Sequence, residues 1–198
     1  NAPIGYWSRQ YAYDKASIIS HAHAFTEGMK AAKVLTTAKH FPGLGAVTGN
    51  TDISAGVRDD QTNSNSESVQ IFKDLISSGT PSIMSATAIY DKIDPNLPGA
   101  FSSKMVDGLL RKQLGFDGLV ITDDLSNAVQ VQSWTPGQRA VLALSAGNDL
   151  VLANEPTQIP EMISEVLQKA KADPDFAKKI SQSATRVIKV KEEMKLVE

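Results

Sequence analysis

The run Leu119-Val-Ile-Thr122 is followed directly by two carboxylates, Asp123 and Asp124. Its residues are apolar or β-branched without polar alternation, which is typical of a strand buried on both faces of a parallel sheet. A carboxylate at the end of such a strand is expected to have a structural or chemical role, because burying a charge is unfavourable. Consecutive strand residues point to opposite sides, so only one of the two can face a site. Asp124 is the candidate helix cap, and Asp123 is the candidate for chemistry.

Three further apolar runs of the same kind predict three more strands, at residues 34–39, 82–87 and 149–153. Helical patterns lie between them, and the clearest begins at Ser102, a good N-cap residue, and ends at Gly115. The order is strand and helix, repeated four times and followed by more helix. Such alternation predicts an α/β fold with a parallel sheet.

Candidate binding residues lie at the predicted carboxyl ends of these strands, where parallel α/β folds place their sites. Lys39 and His40 end the first strand and precede Phe41-Pro42, whose proline restricts the turn. Their side chains suit a pocket that holds hydroxyl or carbonyl oxygens, although residues that only close a strand would look the same. Residues 48–68 form a polar loop of about twenty residues, a length that is often functional and otherwise marks a surface excursion.

Composition argues against several classes of function. The 198 residues carry a formal net charge of −2, which gives no reason to expect a nucleic acid or an anionic membrane as partner. No run approaches the roughly 18 apolar residues of a membrane span. There is no cysteine, and two of the three histidines, His21 and His23, face different sides of a predicted helix. We therefore expect neither a metal site nor thiol chemistry.

Short motifs along the whole chain resemble glycoside hydrolase family 3, and within it the single-barrel bacterial β-N-acetylglucosaminidases. The motifs that carry the resemblance are Lys39-His40-Phe41-Pro42-Gly43 followed by Gly45, Leu114-Gly115-Phe116-Asp117-Gly118, and Thr122-Asp123-Asp124-Leu125. Weaker supporting matches occur in the family's order at Ile4-Gly5, Arg9-Gln10-Tyr11, Met84-Ser85, Leu109-Leu110-Arg111, residues 146–149 and residues 186–189. Each motif alone is weak evidence, and their common order is strong evidence.

The resemblance implies a TIM (β/α)8 barrel and a retaining hydrolase of β-glycosides, with terminal N-acetylglucosamine, for example in cell-wall material, as the expected sugar. In such enzymes an aspartate attacks the anomeric carbon and water then releases the sugar. By position this nucleophile is Asp123. Lys39, His40 and Arg9 are expected to hold hydroxyl or N-acetyl oxygens of the sugar. No cofactor and no metal are implied.

The usual proton donor of these enzymes is missing from its expected place. The family carries an Asp-Ser-His triplet in the loop after its Lys-His-Phe-Pro-Gly-His-Gly motif, and the triplet histidine is the acid/base. In this chain Leu44 replaces the first histidine, Asn50-Thr51-Asp52 replaces the triplet, and no histidine follows His40. Asp52, at the aligned position, is the candidate acid/base. The alternatives are another group, or impaired catalysis with a plain Asx-type turn at residues 50–52.

The predicted strands account for half of such a barrel. The family barrel has eight strands, and the opening residues 1–5 resemble the loop after its fourth strand. We therefore expect residues 1–198 to be the C-terminal half, which supplies about the last four strand–helix units. A four-stranded parallel sheet has two open edges. We expect the N-terminal half, as a separate chain or a further segment, to pair with both.

The sequence leaves more than one class of function open. Retention of Asp123 with Lys39 and His40 favours the hydrolase. The missing triplet histidine favours a sugar- or muropeptide-binding protein with impaired catalysis. A flavodoxin-like ligand-binding domain would also explain the alternation, but no glycine-rich phosphate loop follows the first predicted strand.

Overall fold

The computed structural model describes residue 1 and residues 3–197, and its centre is a parallel sheet. The strands are β1 (Thr37–Phe41), β2 (Arg58–Asp59), β3 (Ser82–Ser85), β4 (Ile89–Tyr90), β5 (Asp94–Pro98), β6 (Leu119–Asp124) and β7 (Leu150–Leu152). The α-helices are α1 (Lys15–Ala31), α2 (Glu67–Ser77), α3 (Pro136–Ala146), α4 (Ile159–Ala172) and α5 (Pro174–Glu193). A π-helix spans Lys104–Gln113, and short 3₁₀ turns include Gly5–Trp7, Gly99–Phe101, Val129–Val131 and Pro156–Gln158.

The main sheet has the order β1-β3-β6-β7, and every pair of neighbours is parallel. The four predicted strands are therefore consecutive neighbours in one parallel sheet, and the α/β prediction is confirmed. A smaller sheet of order β2-β4-β5 is built from the segments that follow β1 and β3. It lies outside the predicted strands.

The first strand begins at Thr37, later than the predicted residues 34–39. The reason lies in the end of α1, where the N–H of Val34 donates to the carbonyl of Met29 over 3.0 Å and so closes the helix. Val34 is therefore engaged by the helix cap, and its side chain is 44% exposed. At the other end of the sheet, β6 continues to Asp124. Both carboxylates thus belong to the strand itself.

The core lies between the sheet and its helices. Apolar side chains of β1, β3 and β6 pack against α2 and the π-helix, and the members include Phe41, Phe72, Ile83, Val106 and Val120. The rings of Phe41 and Phe72 meet edge to face with centroids 5.1 Å apart. Burial of this apolar surface fixes the sheet, and hence the strand ends at which the polar residues stand.

The predicted helix after Ser102 is a π-helix. The N–H of Leu114 donates to the carbonyl of Leu109, five residues earlier, over 2.9 Å. The predicted capping role of Ser102 is present, because its Oγ accepts the N–H of Met105 over 3.2 Å. The buried face consists of the predicted residues Met105, Val106, Leu109 and Leu110.

Three of the weaker sequence motifs meet at the buried carboxylate of Asp149. Its Oδ2 accepts from Arg111 over 2.5 Å and from the N–H of Val120 over 2.9 Å. Its Oδ1 accepts from Arg186, in α5, over 2.9 Å. This carboxylate therefore ties the π-helix, β6 and the last helix together, away from the strand ends where Asp123 stands.

Asp149→Ala is expected to lower the free energy of unfolding by about 3–5 kcal/mol, because it leaves a largely buried guanidinium without its partner. Urea denaturation measures this loss. The control is Asp74→Ala, which removes an exposed ion pair with Lys15 and should cost at most about 1 kcal/mol. A loss at Asp149 as small as that of the control would contradict the structural role of this network.

Candidate active site

Asp124 closes the turn that follows β6. Its carboxylate accepts the N–H groups of Ser126, Asn127 and Asn154 over 2.9–3.1 Å. It also accepts the hydroxyl of Ser126 over 2.6 Å. These hydrogen bonds hold its pKa below 3.8 in spite of burial. Asp124 thus has the predicted capping role, but for the turn before Val129–Val131, since Thr135 caps α3.

Asp123 lies on the other side of the strand and faces β1. Its Oδ2 is 3.7 Å from Nε2 of His40, and its side chain is 20% exposed. Its Oδ1 accepts the N–H of Asp124 over 3.0 Å. The structure therefore brings Asp123 and His40 together at the same edge of the sheet, although β3 lies between their strands.

The charges around Asp123 determine how readily its carboxyl group ionises. Burial raises its pKa above the ordinary 3.8, and the hydrogen bond from Asp124 opposes this. The negative charge of Asp52 raises the pKa further, whereas the positive charges of Lys39 and Arg9 lower it. Each of the other residues predicted for this site therefore contacts Asp123 or shifts its pKa.

His40 is a neutral imidazole at pH 7. Burial, followed by the positive charges of Lys39 and Arg9, lowers its pKa to about 3. The 3.7 Å contact with Asp123 is thus no ion pair. Within the described residues, Nδ1 of His40 is buried without a hydrogen-bond partner. A neutral imidazole can donate to a hydroxyl through one nitrogen and accept through the other.

Arg9 comes from the segment before α1. Its Nη1 donates to the carbonyl of Pro3 over 3.0 Å. The side chain of Asn1 fixes this segment to the turn after β1 by donating to the carbonyl of Val47 over 2.9 Å. Arg9 is exposed, as is Lys39 on β1. Two exposed cationic side chains thus act electrostatically on the Asp123 carboxylate.

Asp52 lies in a tight turn of the polar loop. Its N–H donates to Oδ1 of Asn50 over 2.9 Å, and the N–H of Ser54 donates to the Asn50 carbonyl over 3.0 Å. The Asx-type turn weighed for this segment is therefore present. The turn uses the backbone N–H of Asp52. The carboxylate of Asp52 is exposed, and its charge raises the pKa of Asp123.

A cavity of about 440 Å³ lies between α1, β1 and α2. Its lining includes Arg9, Lys39 and His40, together with apolar side chains such as Ile18 and Phe25. Neither Asp123 nor Asp52 lines it. The cavity thus lies at the outer edge of β1 and shares Arg9, Lys39 and His40 with the surroundings of Asp123.

The family model for the glycosyl hydrolase family 3 N terminal domain matches residues 1–190. The chain belongs to glycoside hydrolase family 3. A β-hexosaminidase of Methylobacillus flagellatus is 34% identical over 160 residues, which are 80% of this chain and 46% of that protein. A β-hexosaminidase of Vibrio cholerae is 34% identical over 73% of this chain and 43% of its own length.

Solved structures of similar proteins share the fold. The β-N-acetylhexosaminidase of Beutenbergia cavernae matches with a TM-score of 0.95 and 50% identity, over 97% of this chain and 57% of that chain. A family 3 β-N-acetylglucosaminidase of Paenibacillus matches with a TM-score of 0.87 and 25% identity, over 94% of this chain and 36% of that chain. The family 3 chain described here therefore spans about half the length of the curated relatives it matches.

Sequence reasoning missed Tyr90, which supports the turn of the family 3 motif that begins at Lys39. Its hydroxyl donates to the carbonyl of Gly43 over 2.8 Å, and its ring is fully buried. Burial and the charges of Asp59 and Asp123 raise its pKa well above 10, so it remains a donor. No motif marked it, because its partner lies 47 residues away in the chain.

Within residue 1 and residues 3–197, histidine and carboxylate side chains do not gather in groups of three that could hold a metal ion. Each described helix is too short or too polar to cross a bilayer.

Proposed function

We propose that the protein hydrolyses β-glycosidic bonds, with terminal N-acetylglucosamine as the substrate sugar and with retention of configuration at the anomeric carbon. The observation that carries this proposal is the carboxylate of Asp123 at the end of β6, which faces His40 and is subject to the charges of Lys39, Arg9 and Asp52. The names of its family 3 relatives, β-hexosaminidase and β-N-acetylhexosaminidase, support the choice of sugar.

In the proposed mechanism Asp123 is the nucleophile. One of its oxygens attacks the anomeric carbon as the bond to the leaving oxygen breaks, which gives a covalent glycosyl-enzyme. Asp52, in its protonated form, gives its proton to the leaving oxygen. The resulting Asp52 carboxylate then accepts a proton from water, whose oxygen attacks the anomeric carbon and releases Asp123. Two inversions at this carbon give net retention.

The cationic and imidazole side chains are proposed to hold the sugar. His40 is neutral and buried, so it can hydrogen-bond a hydroxyl without competing for the charge of Asp123. Lys39 and Arg9 are charged donors on the exposed side, which suits hydroxyl and N-acetyl oxygens. Both also favour the ionised form of Asp123, because each lowers its pKa. Lys39 and Arg9 are thus proposed both to bind the sugar and to favour ionisation of the nucleophile.

We further propose that residues 1–198 are the C-terminal half of a barrel whose N-terminal half pairs with β1 and β7. Among the described residues each of these strands has a single strand neighbour in the main sheet. The apolar cavity at the outer edge of β1 offers room for side chains of an adjoining strand. On the opposite side, Ile163 and Leu167 of α4 are 55% and 54% exposed. Such apolar surface is typical of a buried interface.

The function is tested by assaying the intact protein, with both halves of the barrel, on a panel of aryl β-glycosides. We expect turnover of the N-acetyl-β-glucosaminide to exceed that of the β-glucoside and the β-xyloside. The α-anomer serves as the negative control. Proton NMR of the product formed first should show the β-anomer. Binding of N-acetylglucosamine without turnover of any aryl glycoside would instead favour a sugar-binding protein.

A further inference from the structure

The loop that carries Asp52 is closed at its base by the side chain of Gln130. Nε2 of Gln130 donates to the carbonyl of Val57 over 3.0 Å, and Oε1 accepts the N–H of Val57 over 2.9 Å. Gln130 is 5% exposed, and Val57 is 6% exposed. One buried amide therefore satisfies both backbone polar groups of a residue 73 positions away in the chain.

The tip of the same loop docks on the backbone around Gln130. The N–H of Gln130 donates to the carbonyl of Thr51 over 3.1 Å, and the N–H of Val129 donates to the carbonyl of Asp52 over 3.2 Å. Together with the two side-chain bonds, this makes four hydrogen bonds between the loop and the 3₁₀ turn Val129–Val131. The turn thus holds both the base and the tip of the Asp52 loop.

This turn is also the continuation of the strand that carries Asp123. After β6 ends, Asp124 fixes the next residues through Ser126 and Asn127, and the 3₁₀ turn follows. The side chain of Gln132 binds the carbonyls of Ser126 and Ala128 over 2.9 Å and 3.1 Å and stiffens the same segment. Asp123 and the Asp52 loop are therefore attached to one short, internally bonded unit.

We propose that Gln130 is a positioning residue that sets the place of Asp52 relative to Asp123. This rests on the proposed roles of the two aspartates. Gln130 acts through the base of the loop, at Val57, and touches neither the sugar nor the reacting atoms. A general acid must lie within hydrogen-bond reach of the leaving oxygen, and a displacement of about 1 Å can cost a hundredfold in rate. Loss of the clamp should therefore impair proton donation more than nucleophilic attack.

The experiment compares kcat/KM for a poor leaving group, a methylphenyl N-acetyl-β-glucosaminide, with that for an activated one, the 2,4-dinitrophenyl glycoside. This parameter reports the step that forms the glycosyl-enzyme, and only the poor leaving group needs a proton donor there. Gln130→Met keeps the approximate volume but removes both hydrogen bonds to Val57. We expect it to lower the ratio of kcat/KM for the poor leaving group to kcat/KM for the activated one by about tenfold or more. Gln130→Glu keeps one of the two bonds, and we expect an intermediate ratio.

Two controls separate positioning from stability. Gln168→Met makes the same chemical change at an exposed position of α4, where the amide contacts Ser164 over 3.4 Å, and it should leave the ratio unchanged. A purely structural role of Gln130 would lower kcat/KM for both substrates by the same factor, and this result would overturn the proposal. In an Asp52→Ala background, Gln130→Met should cause no further change in the ratio. A further change there would show that Gln130 does not act through Asp52.

The outcome for Asp52→Ala alone separates a failure of the proposed role of Asp52 from a failure of the proposed role of Gln130. If it lowers the ratio while Gln130→Met does not, the role of Asp52 stands and the positioning role of Gln130 is wrong. If Asp52→Ala leaves the ratio unchanged, Asp52 is not the acid and the positioning proposal fails with it.

Discussion

Asp123→Asn is expected to lower kcat on an aryl N-acetyl-β-glucosaminide by a factor on the order of 10³ or more. The substitution keeps the shape of the side chain and its place at the end of β6, but it removes the negative charge that attacks the anomeric carbon. Binding of the sugar should change little, because the contacts proposed for Lys39, His40 and Arg9 remain. The measurement is steady-state kinetics, together with the affinity for N-acetylglucosamine by calorimetry.

The matched control is Asp117→Asn, at an exposed position that precedes the same strand. It makes the same chemical change and should leave kcat unaltered. The pH profile gives a second check, because the nucleophile must be ionised. Burial raises the pKa of Asp123 above 3.8, so activity of the unmodified protein should fall with decreasing pH before this value is reached. Near-normal turnover by Asp123→Asn would remove Asp123 from the mechanism.

The sheet could be predicted from sequence because its strands are short apolar runs that end in polar residues. The run at residues 119–122 gave the strand and its direction, and Asp123 with Asp124 marked the end where a site forms. The start of β1 was misplaced, because the hydrogen bond from Val34 to Met29 depends on how α1 ends. The π-helix was not distinguished from an α-helix, since the spacing of apolar residues such as Met105 and Leu109 suits both.

The candidate site was predictable as a set of residues and not as a geometry. Motif positions pointed to Lys39, His40 and Asp123, and in the structure His40 contacts Asp123 and the charge of Lys39 lowers its pKa. The neutral state of His40 follows from burial and from neighbouring charges, which emerge only when separate segments meet. The clamp by Gln130 joins residues 73 positions apart, and nothing local in the sequence of either partner indicates it.

In the polar loop, too, the sequence predicted the local structure better than the role of its residues. Its composition predicted an irregular segment, and an Asx turn at Asn50 was weighed as the plain interpretation of residues 50–52. The turn is present, yet it leaves the carboxylate of Asp52 exposed and able to act on Asp123. The turn is therefore compatible with a catalytic carboxylate at Asp52, and kinetics on chosen leaving groups tests that role.

Asp52→Ala is expected to lower kcat/KM for a poor leaving group by about 10²–10⁴, the range that general acid catalysis contributes. For the activated 2,4-dinitrophenyl glycoside the loss in kcat/KM should be small, because this leaving group departs without a proton. The difference follows from the role of Asp52 alone, since the nucleophile and the sugar contacts are unchanged. Measurement of kcat/KM over a series of aryl glycosides should show a steeper dependence on leaving-group acidity.

The second step of the mechanism gives an independent test on the same variant. Without Asp52 no base activates water, so the glycosyl-enzyme on Asp123 should accumulate and kcat for the activated substrate should fall. Azide needs no base to attack the anomeric carbon. Added azide is therefore expected to restore kcat and to give the β-glycosyl azide, the retained product, detectable by NMR. Asp60→Ala is the control, because it removes another exposed carboxylate of the same loop and keeps Asp52, and it should show no azide rescue. Small and equal losses by Asp52→Ala on all substrates, with no glycosyl azide, would show that another group donates the proton.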